Sequence, residues 1–460
     1  MSGVRHLAVV GGGITGLAAA WEAAASPGWR VTVVDSDDRV GGKLRTSQIA
    51  GLPVDESADA FLRRVPDALD LTTELGLADE LVAPATGTAH LWCGDRLRPL
   101  PTGGVFGIPL DTTVTAPGIV DQVALQRALA EVDRDGDPLD RDVAIGGFLD
   151  ERLGPEVSRR LVAPLVGGIG AGDVDELSLD AVLPQIATAA RSGPSVVAAL
   201  RAARPTTAPA GPVFAAHPLG MGHLVDTLTS ALVHRGVEFR TGTEVEAVTP
   251  GRPGRTTVVG PDITLDADAV VVATPPSVAA RLVAGAVPAT ATLLSGITTA
   301  SVVLVTLAWP AAELGELEGS GFLVPRGSGL RITACSWAST KWAHLATTGS
   351  AVLRVSVGHA GDPGAVDLDD SSLLSIVSGD LERSMGITSA PAEQRISRWP
   401  GSFPQYLVGH LDRCDAIDAA LAEAALPLAV TGAGHRGLGI PACIRQGRAA
   451  ARLLIAEESR

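Results

Sequence analysis

Three glycines, Gly11, Gly13 and Gly16, stand at the spacing G-x-G-x-x-G, and the carboxylate of Asp35 follows 19 residues after the last of them. Glycine at the first position permits a tight turn, at the second lets backbone approach a pyrophosphate, and at the third lets a helix pack close on a strand. A carboxylate at that distance can accept hydrogen bonds from a pair of ribose hydroxyls, where a 2′-phosphate would call for an arginine. The chemistry indicated is the holding of a dinucleotide. Gly12, Ile14 and Thr15 complete the loop, and the amino-terminus of the following helix would meet the phosphates.

The elements that must position these groups are legible around them. Leu7 to Val10 is a short apolar run suited to a buried strand, Leu17 to Ala25 is alanine-rich and helix-favouring, and Val31 to Val34 is a second strand ending at Asp35. Strand, glycine turn, helix and strand make a βαβ unit. NAD and FAD share this fingerprint, so a further feature must separate them. Arg39-Val40-Gly41-Gly42-Lys43 supplies it: paired glycines let backbone approach the ligand again, and Arg39 and Lys43 bring positive charge towards phosphates. This Arg-x-Gly-Gly segment resembles the second signature of FAD-dependent oxidases of the amine oxidase and protoporphyrinogen oxidase superfamily.

The chain has 460 residues, room for two or three domains with large cores. Its net charge of −15 opposes the phosphate neutralisation that nucleic-acid binding needs, so no nucleic-acid partner is expected. With 7 Trp, 7 Phe and 1 Tyr, a mechanism built on tyrosines has a single candidate, Tyr406. Cys93, Cys335, Cys414 and Cys443 form no Cys-x-x-Cys pair, which argues against a metal site and for a reducing compartment. Apolar runs such as Ala269 to Ala273 are far shorter than a spanning helix, and Met1 to His6 leads into a strand pattern without a signal region. A cytoplasmic protein without stable membrane insertion is expected.

Further along, Thr243 to Val248 and Asp266 to Pro276 read as strands, and Leu428 to Val430 leads through a glycine loop into a helical stretch reaching about Leu454. The fold expected is α/β: a discontinuous Rossmann-like FAD-binding domain (1–75, 213–285 and 400–460), a β-rich substrate domain (76–108 and 286–399) and a mostly helical insertion (109–212). Helical patterns at Val120 to Val132, Ile145 to Leu153 and Val196 to Ala203 mark the insertion. Runs at Ser301 to Leu307, Gly321 to Val324, Arg331 to Ser336 and Val352 to Val357 mark the sheet. Arg201 to Pro212 is the most linker-like stretch. Glu131, Asp133, Asp135, Asp137, Asp140 and Asp142 lie in the insertion, and on its surface they would repel an anionic membrane.

Five blocks in order resemble the bacterial coproporphyrinogen III oxidases: Asp55 to Leu62, Pro164 to Ser178, Ser336 to Trp342, Arg398 to His410 and Gly432 to Pro441. The resemblance implies that Gly11 to Gly16, Asp35, Ser36, Arg39, Gly42, Lys43, Ser57, Ala58, Asp59 and Ala60 contact FAD. It also implies that Val245 meets the adenine end through backbone atoms, and that Trp399, Gly439, Ile440 and Pro441 lie near the isoalloxazine. Asp35 stands where Glu is more usual, and Ala442 where an acid is often seen. The implied reaction removes six electrons from coproporphyrinogen III in three two-electron steps, with O2 as acceptor and H2O2 as by-product, and allows transient contact with a ferrochelatase. Arg63, Arg64, Arg331 and Lys341 are the candidate partners of the substrate's propionates. No dedicated acid or base is evident, and His410 and His435 read as structural rings satisfied by carbonyls. Alternatives are a protoporphyrinogen IX oxidase, a flavin amine oxidase, which would want an aromatic cage, or a non-catalytic porphyrin-binding flavoprotein.

Overall fold

The computed structural model describes residues 4–204 and 211–457; part of the expected linker Arg201 to Pro212 therefore lies outside the described residues. Five parallel strands form a sheet in the order Leu428–Val430, Ala269–Val272, Arg5–Val10, Trp29–Val34, Glu238–Arg240. Val10 pairs with Val34 on one side and Val272 on the other, and Val272 pairs with Val430. Both faces are covered, which is why the central strands are almost continuously Val, Leu and Ala rather than alternating. Helices Ile14–Ala24, Met221–His234 and Ile440–Glu457 bury Leu17, Leu224 and Ile444 on one face. Over the other face lie an antiparallel meander (Ala247–Pro250, Thr256–Gly260, Ile263–Ala267) and helices Pro276–Val283, Pro288–Ser295 and His410–Glu423. Each fully buried Val or Leu contributes about 1.5–3 kcal/mol.

A second sheet has seven strands in the order Glu393–Pro404, Thr299–Pro310, Ser350–Val357, Ile332–Trp337, Gly321–Leu323, His90–Trp92, Leu97–Pro99. It alternates with period two, as a mostly antiparallel sheet should: Val303, Val305 and Leu307 pack under helix Asp370–Met385, and Val302 faces the opposite side. A helical cluster built on Leu125, Leu149, Leu161, Ile186 and Val197 closes over that opposite side.

Some expected boundaries move. Helix Pro288–Ser295, expected with the β-rich domain, packs on the parallel sheet, and strand Glu393–Pro404 carries residues 400–404 into the seven-stranded sheet. The strand expected from Thr243 begins only at Ala247. The helix expected over Val120 to Val132 is Gln122–Leu129 followed by a 3-10 turn, Ala130–Asp133. That turn sinks Glu131 into the core, where its carboxylate accepts from Val196 N, Val197 N and Ser195 Oγ and pairs with Arg152. Glu131 is thus a buried cap of helix Val196–Ala202 and no part of a surface charge run. Among the described residues no helix is long and apolar enough to cross a membrane.

Candidate active site

In open parallel sheets ligands bind beyond the carboxyl ends of the strands, and Gly11, Asp35, Ala273 and Thr431 stand at those ends. Gly11 has φ +103°, and a Cβ there would lie 2.8 Å from Ala273 O; a Cβ on Gly16 would lie 1.9 Å from Gly11 O. Only glycine satisfies either position. Helix Ile14–Ala24 starts from Gly13 with no side-chain cap and no acid in its first turn. A Cβ added at Gly13 would meet nothing within 4 Å, so the first-turn N–H groups open onto a groove rather than onto protein. The second glycine pair forms the other lip: Gly41 N donates to Gly12 O at 2.7 Å, and Gly42 lies against Gly13.

Asp35 Oδ2 accepts from Gly12 N at 2.5 Å and Oδ1 from Asp37 N at 2.9 Å. Burial raises its pKa, against the pull of those two N–H groups. Each oxygen keeps a further lone pair for a hydroxyl, and Ser36 beside it is exposed. Val245 buries its side chain in the apolar layer, leaving only backbone available. The Arg39 guanidinium donates to Val40 O and Gly42 O, at 3.0 and 2.9 Å, and so braces its own turn. Lys43 is the cation left at the groove. The residue as a whole is exposed and makes no ion pair among the described residues, yet protein crowds around its charged end and desolvation lowers its pKa. Uncapped amides, a lysine without a counter-ion and a carboxylate at the next strand end fit a dinucleotide.

The loop 56–60 is tied to this groove by side chains from distant strands. Ser57 Oγ donates to Lys43 O, Arg354 donates to Ser57 O, and Trp399 Nε1 donates to Glu56 O at 2.7 Å. Asp59 accepts from Lys341 Nζ (2.9 Å) and Trp342 Nε1 (3.0 Å) and pairs with Arg354 (3.0 Å). Burial works to raise its pKa, but Lys341 and Arg354 together hold it well below the usual carboxylate range. Asp55 nearby lacks so close a cation, and burial lifts it to about 6 against hydrogen bonds from Thr46 and Met221 N. Ala58 is exposed and Ala60 half-buried beside these pairs.

The carboxy-terminal glycine loop completes the ring. Tyr406 Oη donates to Ala433 O at 2.7 Å and accepts from Gly437 N at 2.9 Å, and its ring stacks on His410. His410 Nε2 faces His435 O and His435 Nε2 faces Asp418, so both imidazoles have structural partners. Gly439 is exposed and Ile440 and Pro441 are buried at the start of helix Ile440–Glu457, whose first turn carries no acid.

Beside this ring a cleft of about 350 Å³ opens between helix Ala163–Gly170 and the seven-stranded sheet. Ala163, Pro164 and Gly168 line one wall, Val302, Ala334 and Phe403 the other. A Cβ on Gly170 would lie 3.3 Å from Leu438, so the wall helix touches the carboxy-terminal loop. The cleft also exposes Arg159, Asp173, Asp175, Arg326 and His359. His359 Nδ1 meets Ala360 O at 2.6 Å; a carbonyl only accepts, so the proton sits on Nδ1 and Nε2 is left as an acceptor.

None of the four expected propionate partners lines this cleft. Arg63 and Arg64 are exposed beyond the short strand Phe61–Leu62, which pairs with Phe214–Ala215. Arg331 is exposed beside Asp362, and Lys341 is committed to Asp59. The wall block Pro164 to Ser178 was legible in the sequence, but nothing in the sequence linked it to Arg326, more than 150 residues later. A separate group, Glu80, His217 and His223, brings possible metal-ligand atoms within 4.8 Å. There Leu219 N donates to His217 Nδ1 at 3.1 Å, which puts that ring's proton on Nε2, facing Glu80 at 3.1 Å, and leaves no lone pair for a metal.

The family model described as flavin containing amine oxidoreductase matches residues 14–455. A protein named coproporphyrinogen III oxidase from Bacillus subtilis (strain 168) is 35% identical over 97% of each chain. Another of that name, from Propionibacterium freudenreichii subsp. freudenreichii, is 37% identical over 96% of this chain and 89% of its own. A solved structure from Exiguobacterium sp. 255-15, provisionally named protoporphyrinogen oxidase, superposes with TM-score 0.87 at 30% identity, over 98% of this chain and 99% of that one.

Proposed function

This chain belongs to the flavin containing amine oxidoreductases, and within them groups with the coproporphyrinogen III oxidases; from that membership we propose that it is an FAD-dependent oxidoreductase converting coproporphyrinogen III to coproporphyrin III in haem biosynthesis. The observation that carries the reading is the end-to-end similarity to proteins of that name, joined to an apolar cleft beside the dinucleotide groove. Bound FAD supplies the acceptor for each of three two-electron steps, with O2 taking the electrons onward and leaving as H2O2.

The chain's own residues bind and orient. The first-turn amides of Ile14 to Gly16, with Gly11 to Gly13, Gly42 and Lys43, hold the pyrophosphate, and Asp35 and Ser36 hold the ribose, with Val245 at the adenine. Ser57 to Ala60, Trp399 and Gly439 to Pro441 frame the flavin side, and the cleft wall keeps bulk water from the macrocycle. His359 Nε2 is placed to take a proton released in the cleft. These parts belong to one discontinuous FAD domain (1–75, 213–285 and 405–460, extended by helix Pro288–Ser295), a β-rich substrate domain and a helical insertion. The four free cysteines suit a reducing cytoplasm, and passing the product on by brief contact with a ferrochelatase is consistent with it.

The test is to incubate the purified holoenzyme under air with coproporphyrinogen III and, separately, protoporphyrinogen IX, following porphyrin fluorescence and H2O2. Oxidation of the tetracarboxylate is expected to be the faster. Failure to oxidise either would overturn the reading, and faster oxidation of the dicarboxylate would move it to a protoporphyrinogen oxidase.

A further inference from the structure

Resting on that reading, we propose that Arg159 and Arg326 recognise the substrate's propionates, and that Asp173 and Asp175 are internal carboxylates exchanged for them when substrate enters. The two arginines reach the cleft from opposite walls. Arg326 follows strand Gly321–Leu323 of the seven-stranded sheet, and its Nη1 donates to Asp173 Oδ2 at 2.8 Å on the helical side. Arg159 lies in a single π-helical turn, Ser158–Val162, that interrupts the helices between Pro155 and Gly170. Such turns displace side chains from the regular helical face and are frequent at functional sites. Its Nε and Nη2 grip Asp150, which leaves Nη1 to donate to Asp175 Oδ2 at 2.7 Å.

Each exchangeable pair thus joins one guanidinium nitrogen, Nη1, to one carboxylate oxygen in a cleft whose remaining lining is mostly apolar. The four side chains are between 34% and 54% exposed, so the pairs hold the protein together only weakly. Once a macrocycle displaces water, a propionate on the same guanidinium makes a shielded, charge-assisted contact that can be bidentate, and the freed aspartate turns to solvent. Until then the aspartates keep each arginine extended in one direction. This answers how a chain of net charge −15 receives a polyanion: the attraction is local, to two guanidiniums, with Asp150 staying on Arg159 while Asp173 and Asp175 give way. It also gives a basis for preferring the tetracarboxylate, whose propionates lie on all four rings and can reach the arginines of both walls at once, over protoporphyrinogen IX, whose two propionates lie on one edge of the macrocycle.

The test uses FAD-loaded wild type, R326Q, R326K, R159Q/R326Q and D173N. Coproporphyrin III binding is titrated by absorbance, and KM is measured for coproporphyrinogen III and protoporphyrinogen IX. R326Q is expected to weaken coproporphyrin binding and raise the tetracarboxylate KM about tenfold, the double variant about a hundredfold, with smaller changes for the dicarboxylate and little change in kcat. R326K should recover part of the loss, and D173N should bind several-fold more tightly. Thermal melting checks that each variant is folded, and R326Q, whose side chain is half exposed, keeps the question answerable should the double variant fail to fold. Unchanged binding in R326Q, or weakening in D173N as large as in R326Q, would overturn the proposal. Should wild type oxidise neither porphyrinogen, the functional reading falls separately. The coproporphyrin titration then decides the arginines alone: binding that R326Q loses supports them, and no wild-type binding overturns them.

Discussion

The dinucleotide groove and the cleft beside it solve recognition in opposite ways. In the groove, backbone is what is presented: glycines without side chains, uncapped amides and strand ends set by parallel pairing, most of them within residues 5–43, with Ala273 and Thr431 at the neighbouring strand ends. In the cleft, side chains from the π turn, the loop after Gly170 and the loop after Leu323 converge, and no local pattern announces them. A site made of backbone needs particular residue types at fixed spacing, and so writes itself into the sequence. A site made of long side chains on separate elements needs only that the fold bring them together.

The substitution with the largest expected effect tests this contrast with one added methyl group at two places. Gly16→Ala puts a Cβ against Gly11 O and is expected to cost on the order of 4 kcal/mol and to abolish FAD retention. Gly168→Ala in the cleft wall meets only the flexible end of Leu323, at 3.2 Å, and is expected to leave melting and flavin content near wild type. Flavin absorbance after gel filtration reads both, and equal losses would erase the distinction.

Asp59 lies where the two regions join. Asp59→Ala leaves Lys341 and Arg354 without their counter-charge and should cost about 3–5 kcal/mol in chemical denaturation, with loosening of the 56–60 loop. Asp55, one turn of chain away, has the opposite sign. Its folded pKa of about 6 lies above the ordinary value of 3.8, so its ionised form is a cost fully present above pH 6 and relieved as pH falls through 6 towards 4. Asp55→Asn is expected to be more stable than wild type by about 1–2 kcal/mol at pH 8, a gap that closes by pH 4. Melting curves across that range check it, and a gap that widened on acidification would refute the assignment. The smallest effect is expected from Tyr406→Phe, which unpairs Ala433 O and Gly437 N for about 1 kcal/mol and weakens FAD binding several-fold without changing the porphyrinogen KM.

How far the sequence carried follows the same division. Leu7 to Val10, Val31 to Val34 and Leu428 to Val430 are read correctly because fully buried parallel strands must be continuously apolar. Arg39 reads from the sequence as a phosphate ligand because a guanidinium stands beside glycines, and the fold adds that it bonds the carbonyls of its own turn. Arg63, Arg64, Arg331 and Lys341 stand near recognisable blocks, yet nearness along the chain does not say which wall a side chain faces. Glu131 reads as surface charge in the sequence because three orphan amide and hydroxyl donors, more than 60 residues away, are invisible until the helices meet.

The order of the parallel sheet bears on how the protein is made. Its first strand pairs with a strand from the middle of the chain, that strand pairs with Leu428–Val430, and the last described helix lies so close to the first that a Cβ on Gly447 would sit 2.1 Å from Thr15 O. The groove is therefore begun by the segment Arg5–Val34 and closed only once the much later segment Leu428–Glu457 has been made. Until then the amino-terminal βαβ unit waits with apolar surface uncovered, a high-contact-order arrangement that folds slowly and invites chaperone capture. FAD, by bridging segments synthesised far apart in time, would act on the nascent fold as a clasp, and cells short of flavin should accumulate less of this protein and not merely a less active form.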